Sequence, residues 1–255
     1  MYKINLIGSA VLAAIISLFS ACAKYSYPPG TASLTIVDAM ATGDTLILTL
    51  NNPDTVSLLG GYFYFNFSNN NAKYQEYSAY TGVNTFHIHK MISLVPVYPA
   101  LYNVTLDLPI GSIHSLFLTG TTTKPDTLFV KDEPLNLSVA DSSMGIRFVN
   151  LSLGDHPVSI NMAGASAGSE VASLPYKGIT GFKAYPARAS VAAYSFEFHD
   201  VVTGNLLANC MIGNINNPGT STPNLYRNRN ITVVFYDTVD PVTGLPQSAF
   251  IVNNY

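Results

Sequence analysis

Short apolar runs separated by polar turns occupy most of the chain after residue 32. Their residues are largely β-branched or aromatic, and several runs alternate between apolar and polar positions, which is typical of two-faced β-strands. Strands are predicted at residues 34–37, 45–50, 62–67, 115–120 and 127–130. No segment longer than about 12 residues keeps the 3.6-residue period of a helix. The chain is therefore predicted to be all-β.

One short segment departs from this pattern. In residues 71–80, Tyr74, Tyr77 and Tyr80 recur every three residues. That spacing is closer to the period of a helix than to the two-residue period of a strand. We therefore expect one short helix or turn in this segment.

The strand pattern occurs twice in the same order. Segments at residues 36–39, 113–118 and 128–130 resemble segments at 148–151, 230–235 and 249–252. Such self-similarity indicates a tandem repeat. We predict two antiparallel β-sandwich domains, immunoglobulin-like or related, at residues 33–133 and 144–255. The join between them lies around Pro134, where polar residues interrupt the strands.

The N-terminus carries the pattern of an export signal. Lys3 precedes a short apolar run that is interrupted by polar residues, which favours a signal peptide over a permanent span. The run ends in Phe-Ser-Ala-Cys at residues 19–22, which resembles a bacterial lipobox. We predict a lipoprotein signal peptide at residues 1–21, a lipid anchor on Cys22 and a tether at residues 22–32. An ordinary signal peptide with an incidental cysteine is the alternative.

The composition argues against nucleic-acid binding. The formal net charge is −3 and only 11% of the residues are charged, whereas nucleic-acid binding favours clustered Lys and Arg. Once Cys22 is acylated, Cys210 has no cysteine to pair with, and its apolar neighbours predict a buried thiol. We expect a lipid-anchored protein of the cell envelope, on the outer membrane, without a cofactor. The membrane face is left open.

The second half also resembles a known family. Residues 145–152, Gly-Ile-Arg-Phe-Val-Asn-Leu-Ser, are similar to the opening strand of the DUF4397 type of domain, and residues 156–162 are similar to its next strand. The turn at residues 176–178 and the strand at 231–236 also fit. The resemblance implies a Bacteroidota-like envelope lipoprotein with tandem β-sandwiches. It brings no established catalytic residues.

One motif raises the possibility of nucleophilic catalysis. Residues 164–168, Gly-Ala-Ser-Ala-Gly, match the G-x-S-x-G pattern of a nucleophile elbow, with Ser166 as the nucleophile. His199 would be the base, and Glu170 or Glu197 the acid. Glu197 and His199 would share one strand face, which does not reliably orient one toward the other. The motif requires a helix after the serine, and small residues followed by Pro175 do not favour one. A flexible loop is the simpler interpretation, and a serine hydrolase is the alternative function.

Two histidines suggest metal binding as a second alternative function. His87 and His89 are two residues apart and would lie on one strand face. His114 could add a third metal ligand from another strand, as a zinc site requires. An ordinary hydrogen-bonded strand face is the competing interpretation, so a His-based metal site is an alternative only.

Two further sets of residues are candidates for recognition. A binding face for a glycan or a protein partner is predicted from the clustered tyrosines Tyr62, Tyr64, Tyr74, Tyr77 and Tyr80. An Asp-Thr-aliphatic pattern, which resembles the O-glycosylation acceptor of Bacteroidota envelope proteins, occurs at Thr45, Thr55, Thr127 and Thr238. Strand packing and turn chemistry also use these residue types. The sequence therefore favours a non-enzymatic binding or structural module.

Overall fold

The described part of the chain consists of β-strands joined by turns and loops. The computed structural model describes residues 30–40, 45–50, 64–66, 73–92, 95–138, 140, 142–154, 156–221, 223–238 and 246–254. Cys22, the predicted signal peptide and most of the predicted tether lie outside these residues. Among the residues that are described, no helix is long and apolar enough to span a bilayer.

The strands confirm the all-β prediction. Those of the first half are β1 (Thr31–Asp38), β2 (Thr45–Leu50), β3 (Tyr64–Asn66), β4 (Tyr74–Tyr80), β5 (Gly82–Ile92), β6 (Val95–Pro96), β7 (Tyr102–Leu108), β8 (Ile113–Gly120) and β9 (Pro125–Lys131). Those of the second half are β10 (Ser143–Asn150), β11 (Val158–Met162), β12 (Val171–Leu174), β13 (Lys183–Pro186), β14 (Tyr194–Asp200), β15 (Leu206–Ile212), β16 (Asn230–Asp237) and β17 (Gln247–Asn253).

Each half forms two sheets. In the first half, inner sheet 1 has the strand order β4-β1-β8-β9, and outer sheet 1 contains β3-β2-β5 with β6 and β7 paired to β5. In the second half, inner sheet 2 has the order β13-β10-β16-β17, and outer sheet 2 has the order β12-β11-β14-β15. Corresponding strands therefore have the same positions in the sheets of both halves, and the first half has β6 in addition.

Most strand pairs are antiparallel, as predicted. The central pair of each inner sheet is parallel instead: β1 runs alongside β8, and β10 runs alongside β16. Parallel pairs require long crossover connections. Here the chain between the two paired strands contains the outer-sheet strands. The first strand of each half therefore pairs with the second-to-last strand of the same half.

Three apolar cores lie between the sheets. Leu34, Leu46 and Phe86 belong to the core between inner and outer sheet 1, and Ile146 and Phe198 belong to its counterpart in the second half. The third core joins the halves and contains Val37, Ala39, Phe117, Val149, Leu151, Val234, Tyr236 and Val252. All these residues come from the two inner sheets or from the chain that directly follows their strands. Thr31–Tyr255 accordingly forms one compact unit, while the domain boundaries predicted from the sequence stay predictions.

The central strands of the inner sheets, β1, β8, β10 and β16, are buried on both faces, which explains why their sequences do not alternate regularly between apolar and polar positions. In β8, Leu116 and Leu118 contact the core of the first sandwich, while Phe117 contacts the core between the halves. In β16, Val233 contacts the core of the second sandwich, and Val234 contacts the core between the halves. Strands covered on both faces are expected to read as continuous hydrophobic segments instead of alternating ones.

A buried ionic network crosses the interface between the halves. Arg147 of β10 donates from Nη1 to Oδ1 of Asp132 at 2.7 Å and from Nη2 to Oγ of Ser115 at 3.2 Å. Its Nε donates to Oγ1 of Thr232 at 2.8 Å, and Ser115 donates to Oδ2 of Asp132 at 2.6 Å. The side chains of Arg147 and Asp132 are only 3% and 0% exposed. The network therefore fixes β10 against β8 within a low-dielectric interior.

The connection between the halves is held by one asparagine. Asn230 of β16 accepts from the backbone N–H of Leu135 at 3.0 Å and donates to its carbonyl oxygen at 3.1 Å. A Cβ on Gly145 would collide with Oδ1 of Asn230. The glycine thus leaves room for the side chain that fastens the connection.

The expected helix or turn at residues 71–80 is wrong. Tyr74–Tyr80 is strand β4, paired antiparallel with β1 from Val37 to Thr31. Tyr74 packs against the core between the halves, and Tyr77 packs against the core of the first sandwich. Burial on opposite faces of one strand, not helical periodicity, accounts for the tyrosine spacing.

Candidate functional site

The outward face of outer sheet 2 is polar. In β14, Phe196 and Phe198 point into the core, so the alternation of a strand places Ser195, Glu197 and His199 on the opposite face. The neighbouring strand β11 brings Asn161 opposite Glu197 in the antiparallel register. Period-two alternation thus gathers donors and acceptors on one face of the sheet.

These polar groups converge on one carboxylate. Nδ2 of Asn161 donates to Oε2 of Glu197 at 3.3 Å, and Nε2 of His199 lies 3.3 Å from the same oxygen. Nδ1 of His199 lies 3.1 Å from the carbonyl oxygen of Gly204. Oδ1 of Asn161 accepts from the backbone N–H of Gly168 at 3.0 Å. The sequence indicated that Glu197 and His199 share a face; it gave no sign that Asn161 orders both the carboxylate and the adjoining loop.

A shallow depression of about 300 Å³ lies beside this group. It is lined by Ser159, Asn161, Ala167, Gly168, Ala172, His199, Asp200, Val201 and Gly204. Asp200 orders one rim: the backbone N–H of Thr203 and the ring of His156 lower the pKa of Asp200 to about 2. The rim therefore carries a carboxylate that stays ionised throughout the physiological pH range.

The hydrolase arrangement is not assembled around Ser166. The serine is exposed in the turn between β11 and β12, so a strand follows it where a nucleophile elbow requires a helix. Both ring nitrogens of His199 face acceptors, Glu197 Oε2 and the Gly204 carbonyl oxygen. A general base needs a nitrogen directed at the hydroxyl whose proton it takes. The Glu197–His199 contact exists, but it does not extend to a nucleophile.

The histidines proposed as metal ligands have separate surroundings. His87 Nδ1 lies 2.6 Å from Oδ1 of Asn103, while His89 is fully buried beneath Tyr98, with Nδ1 3.2 Å from the carbonyl oxygen of Val97. His114 lies in inner sheet 1, stacked on Phe129.

Across the described residues, no three His, Cys, Asp or Glu side chains come together as a metal site would require. Burial lowers the pKa of His114, an effect that Asp132 opposes. Metal binding by His87 and His89 stays a prediction without a third ligand from this part of the chain.

The tyrosines do not gather on one face where the structure describes them. Tyr74 and Tyr77 pack against different cores, and Tyr80 is 60% exposed at the end of β4. Burial raises the pKa of the Tyr77 hydroxyl well above its ordinary value. The backbone of Tyr64 belongs to β3, and Tyr62 lies outside the described residues. Ligand binding by these residues stays a prediction.

The predicted glycosylation sites lie at strand ends. Thr45 begins β2, Thr127 follows the first residues of β9, and Thr238 comes directly after β16; all three are partly exposed. Thr55 lies outside the described residues. The aspartate before Thr127 accepts from Nζ of Lys177 at 2.9 Å, across the two halves. That aspartate has a structural role of its own, and glycosylation stays a prediction.

The two cysteines fall in different categories. Cys22 lies outside the described residues. Cys210 is a free, buried cysteine that packs in the core of the second sandwich, as its apolar neighbours predicted. Burial raises the pKa of its thiol to about 12. Because the thiolate is the reactive form, Cys210 is a packing residue.

Comparisons with known proteins do not assign the chain to a family. No family model matches the sequence, so the resemblance to DUF4397 is not confirmed, and no curated protein matches it at a significant level.

Three solved structures share weak similarity with the chain. A DUF1812 protein from Bacteroides thetaiotaomicron, described as a candidate polysaccharide-binding protein, has a TM-score of 0.22 and 11% identity, over 82% of this chain and 92% of its own. A candidate adhesin from Bacteroides ovatus has a TM-score of 0.23 and 7% identity, over 88% and 95%. The Bacillus anthracis TIE protein has a TM-score of 0.23 and 9% identity, over 88% of this chain and 44% of its own. Scores this low assign neither fold nor function.

Proposed function

We propose that this chain is a non-enzymatic binding module, held at the cell envelope by lipid on Cys22, that recognises a glycan on the outward face of outer sheet 2. The observation that carries the proposal is the convergence of Asn161 and His199 on Glu197 beside an open depression. The anchor rests on the sequence around Cys22.

The chemistry of this face suits hydroxyl-rich ligands. A sugar hydroxyl both donates and accepts, and vicinal hydroxyls can pair with a carboxylate, an amide or an imidazole. The side chains of Glu197 and His199 are 28% and 24% exposed, so a ligand can reach both, while their contacts with Asn161 and with the Gly204 carbonyl oxygen hold them in place. Groups that are fixed before binding lose less conformational entropy when the ligand arrives. A shallow depression fits recognition of a surface chain better than enclosure of a small substrate.

A glycan array provides the direct test. The full-length chain, purified in a detergent without a sugar headgroup, is compared with Glu197→Gln and His199→Gln. The Glu197→Gln change removes charge-assisted hydrogen bonds worth about 1.5–3 kcal/mol each, so binding should weaken by about ten- to a hundredfold. Equal binding by wild type and both variants would overturn the placement on outer sheet 2.

A matched control comes from the other half. His87→Gln removes a partly exposed imidazole that is paired with Asn103 on outer sheet 1, and it should leave binding unchanged. In the same array, Tyr62→Ala and Tyr64→Ala test the tyrosine prediction. Loss of binding in those variants alone would move the site to the first half.

The anchor has an independent test. Mass spectrometry of the N-terminal fragment should show a chain that begins at Cys22 and carries a diacylglyceryl group and an N-acyl chain. Two or more acyl chains are needed for stable membrane attachment, because a single chain binds only marginally. An unmodified N-terminal fragment, with the protein in the soluble fraction, would remove the anchor from the proposal.

The hydrolase alternative is tested by covalent labelling. A fluorophosphonate probe reacts with activated serines, and Ser166 should remain unlabelled because both nitrogens of His199 face other acceptors. Labelling at Ser166 that is abolished by His199→Gln would contradict the non-enzymatic assignment.

A further inference from the structure

The connection between β15 and β16 is much longer than its counterpart in the first half. It covers residues 213–229, whereas the connection between β7 and β8 covers only residues 109–112. Both connections join the edge strand of an outer sheet to a central strand of an inner sheet. The fold therefore closes without the extra length. Long connections without secondary structure are uncommon in compact proteins and are often functional.

This long connection is ordered by its own hydrogen bonds. The side-chain amide of Asn224 donates to the carbonyl oxygens of Ile215 at 2.9 Å and Asn217 at 2.8 Å. Its Oδ1 accepts from the backbone N–H groups of Tyr226 at 2.9 Å and Arg227 at 2.8 Å. Ile215 is fully buried in the core of the second sandwich. The segment is thus anchored in the core at Ile215 and braced by the side chains of Asn224 and Arg227, whose Nε donates to the carbonyl oxygen of Ala187 at 3.2 Å.

The braced segment surrounds a cavity of about 480 Å³, within the size range of small-ligand sites. The cavity is lined by Asn214, Asn216, Asn217, Pro223, Leu225 and Tyr226. Asparagines line it from one part of the segment, and apolar or aromatic residues line it from another. None of these lining residues is charged. Leu225 is 60% exposed although it is a large apolar residue.

We propose that this cavity is a second ligand site, which takes a neutral sugar ring. An amide offers both donors and an acceptor, so neighbouring asparagines match neutral hydroxyls without demanding a charge on the ligand. The C–H face of a sugar ring is apolar and would cover Leu225 and Tyr226. Because the described lining residues are uncharged, they offer no ion pair to a uronic acid or an amino sugar. This site does not depend on the site on outer sheet 2, because it uses different residues on a different element.

Two variants remove the binding groups without altering the segment's backbone. Asn214 has a φ of 61°, a conformation that glycine adopts readily, so Asn214→Gly removes the amide and keeps the turn. Asn216→Ala removes a second exposed amide. Ser221→Ala, an exposed residue of the same segment that does not line the cavity, is the matched control.

The test titrates the full-length chain, in a detergent without a sugar headgroup, with neutral hexoses and their disaccharides by saturation-transfer NMR. The matching uronic acids serve as the charged comparison. Wild type and Ser221→Ala should bind the neutral sugars better than the uronic acids, and the double variant Asn214→Gly, Asn216→Ala should bind about tenfold more weakly. Transfer of saturation from the Leu225 methyl groups to the sugar should disappear in parallel.

Three outcomes would overturn this second site. They are no binding of any neutral sugar by wild type, equal binding by the double variant, and binding that is lost in Glu197→Gln but retained in the double variant. The last outcome would place the sugar on outer sheet 2 alone. Conversely, loss in the double variant with no effect of Glu197→Gln would support the second site while refuting the site on outer sheet 2.

Discussion

Replacing Arg147 by methionine should destabilise the protein more than any surface substitution. Methionine has a similar length and no charge, so the change deletes three donated hydrogen bonds while filling much of the space. It leaves the carboxylate of Asp132 buried, with a hydrogen bond from Ser115 but without its counter-ion. A buried charge that loses its counter-ion is among the most costly defects in a folded protein.

The expected magnitude follows from the contacts. Hydrogen bonds that involve a charged group contribute about 1.5–3 kcal/mol each, and Arg147 donates three from a side chain that is 3% exposed. Their sum overstates the loss, because the variant no longer has to dehydrate a guanidinium group. Breaking one partner of a buried ion pair costs about 3–5 kcal/mol, and we expect a value in that range. With a urea m-value of about 2–3 kcal/mol/M, the unfolding midpoint should fall by about 1–2.5 M.

Urea unfolding followed by far-UV circular dichroism measures this loss. Arg188→Met is the matched control, since Arg188 is exposed and its replacement should change the free energy of unfolding by no more than about 0.5 kcal/mol. The double variant Arg147→Met, Asp132→Leu should recover more than half of the loss, because an apolar pair removes the unpaired charge. A loss below about 1 kcal/mol for Arg147→Met, or no recovery in the double variant, would refute the reasoning.

Three further predictions concern packing, pH and thiol chemistry. Gly145→Ala should lower the free energy of unfolding by about 1–3 kcal/mol, because the new methyl group meets the asparagine that fastens the connection; Gly181→Ala, with nothing within 4 Å of its Cβ, should be nearly neutral in the same urea assay. Burial lowers the pKa of His114, so the unfolded chain binds more protons than the folded chain, and stability should be full above about pH 6.5 and decline below it. Urea titrations between pH 7.5 and 5.5 should show a smaller decline for His114→Phe; an unchanged decline would contradict this assignment. Ellman's reagent should find no reactive thiol in the native full-length chain and one after denaturation, since Cys210 is buried and Cys22 is predicted to be acylated; a native thiol that disappears in Cys22→Ser would contradict the acylation.

Local sequence patterns were sufficient to predict the all-β class and many of the strands. The run at residues 115–120 falls within β8, and the run at residues 127–130 falls within β9. Strand identity is local because β-branched and aromatic residues pack well on a pleated surface. Alternation in β14 likewise predicted that Glu197 and His199 share a face.

Other features depend on contacts between distant segments, which no local pattern contains. Parallel pairing of β1 with β8 has the same residue preferences as antiparallel pairing. The third core could not be predicted either, because a strand buried on both faces does not reveal which sheet covers each face. Arg147, a charge inside the apolar run Ile146-Arg147-Phe148, was a usable sign of a buried polar network. Its partners come from β8, β16 and the chain after β9, so only the tertiary structure could identify them.

The layered arrangement limits where a ligand can bind. The central strands of the inner sheets are covered on both faces by the three cores, so recognition is expected at the outer faces, the sheet edges or the connections. On outer sheet 1, fully buried His89 shows that part of the outward face is covered, with Val97 and Tyr98 in contact with its ring. On outer sheet 2, Met211 is 70% exposed at the edge of an open polar face.

The second half therefore combines an open polar face with the longer connection, although both halves share one strand order. Two copies of a fold that differ in these features are expected to differ in binding. Exchanging residues 213–229 for the short connection at 109–112 tests this division directly. It should remove the second sugar site while leaving the binding on outer sheet 2 intact.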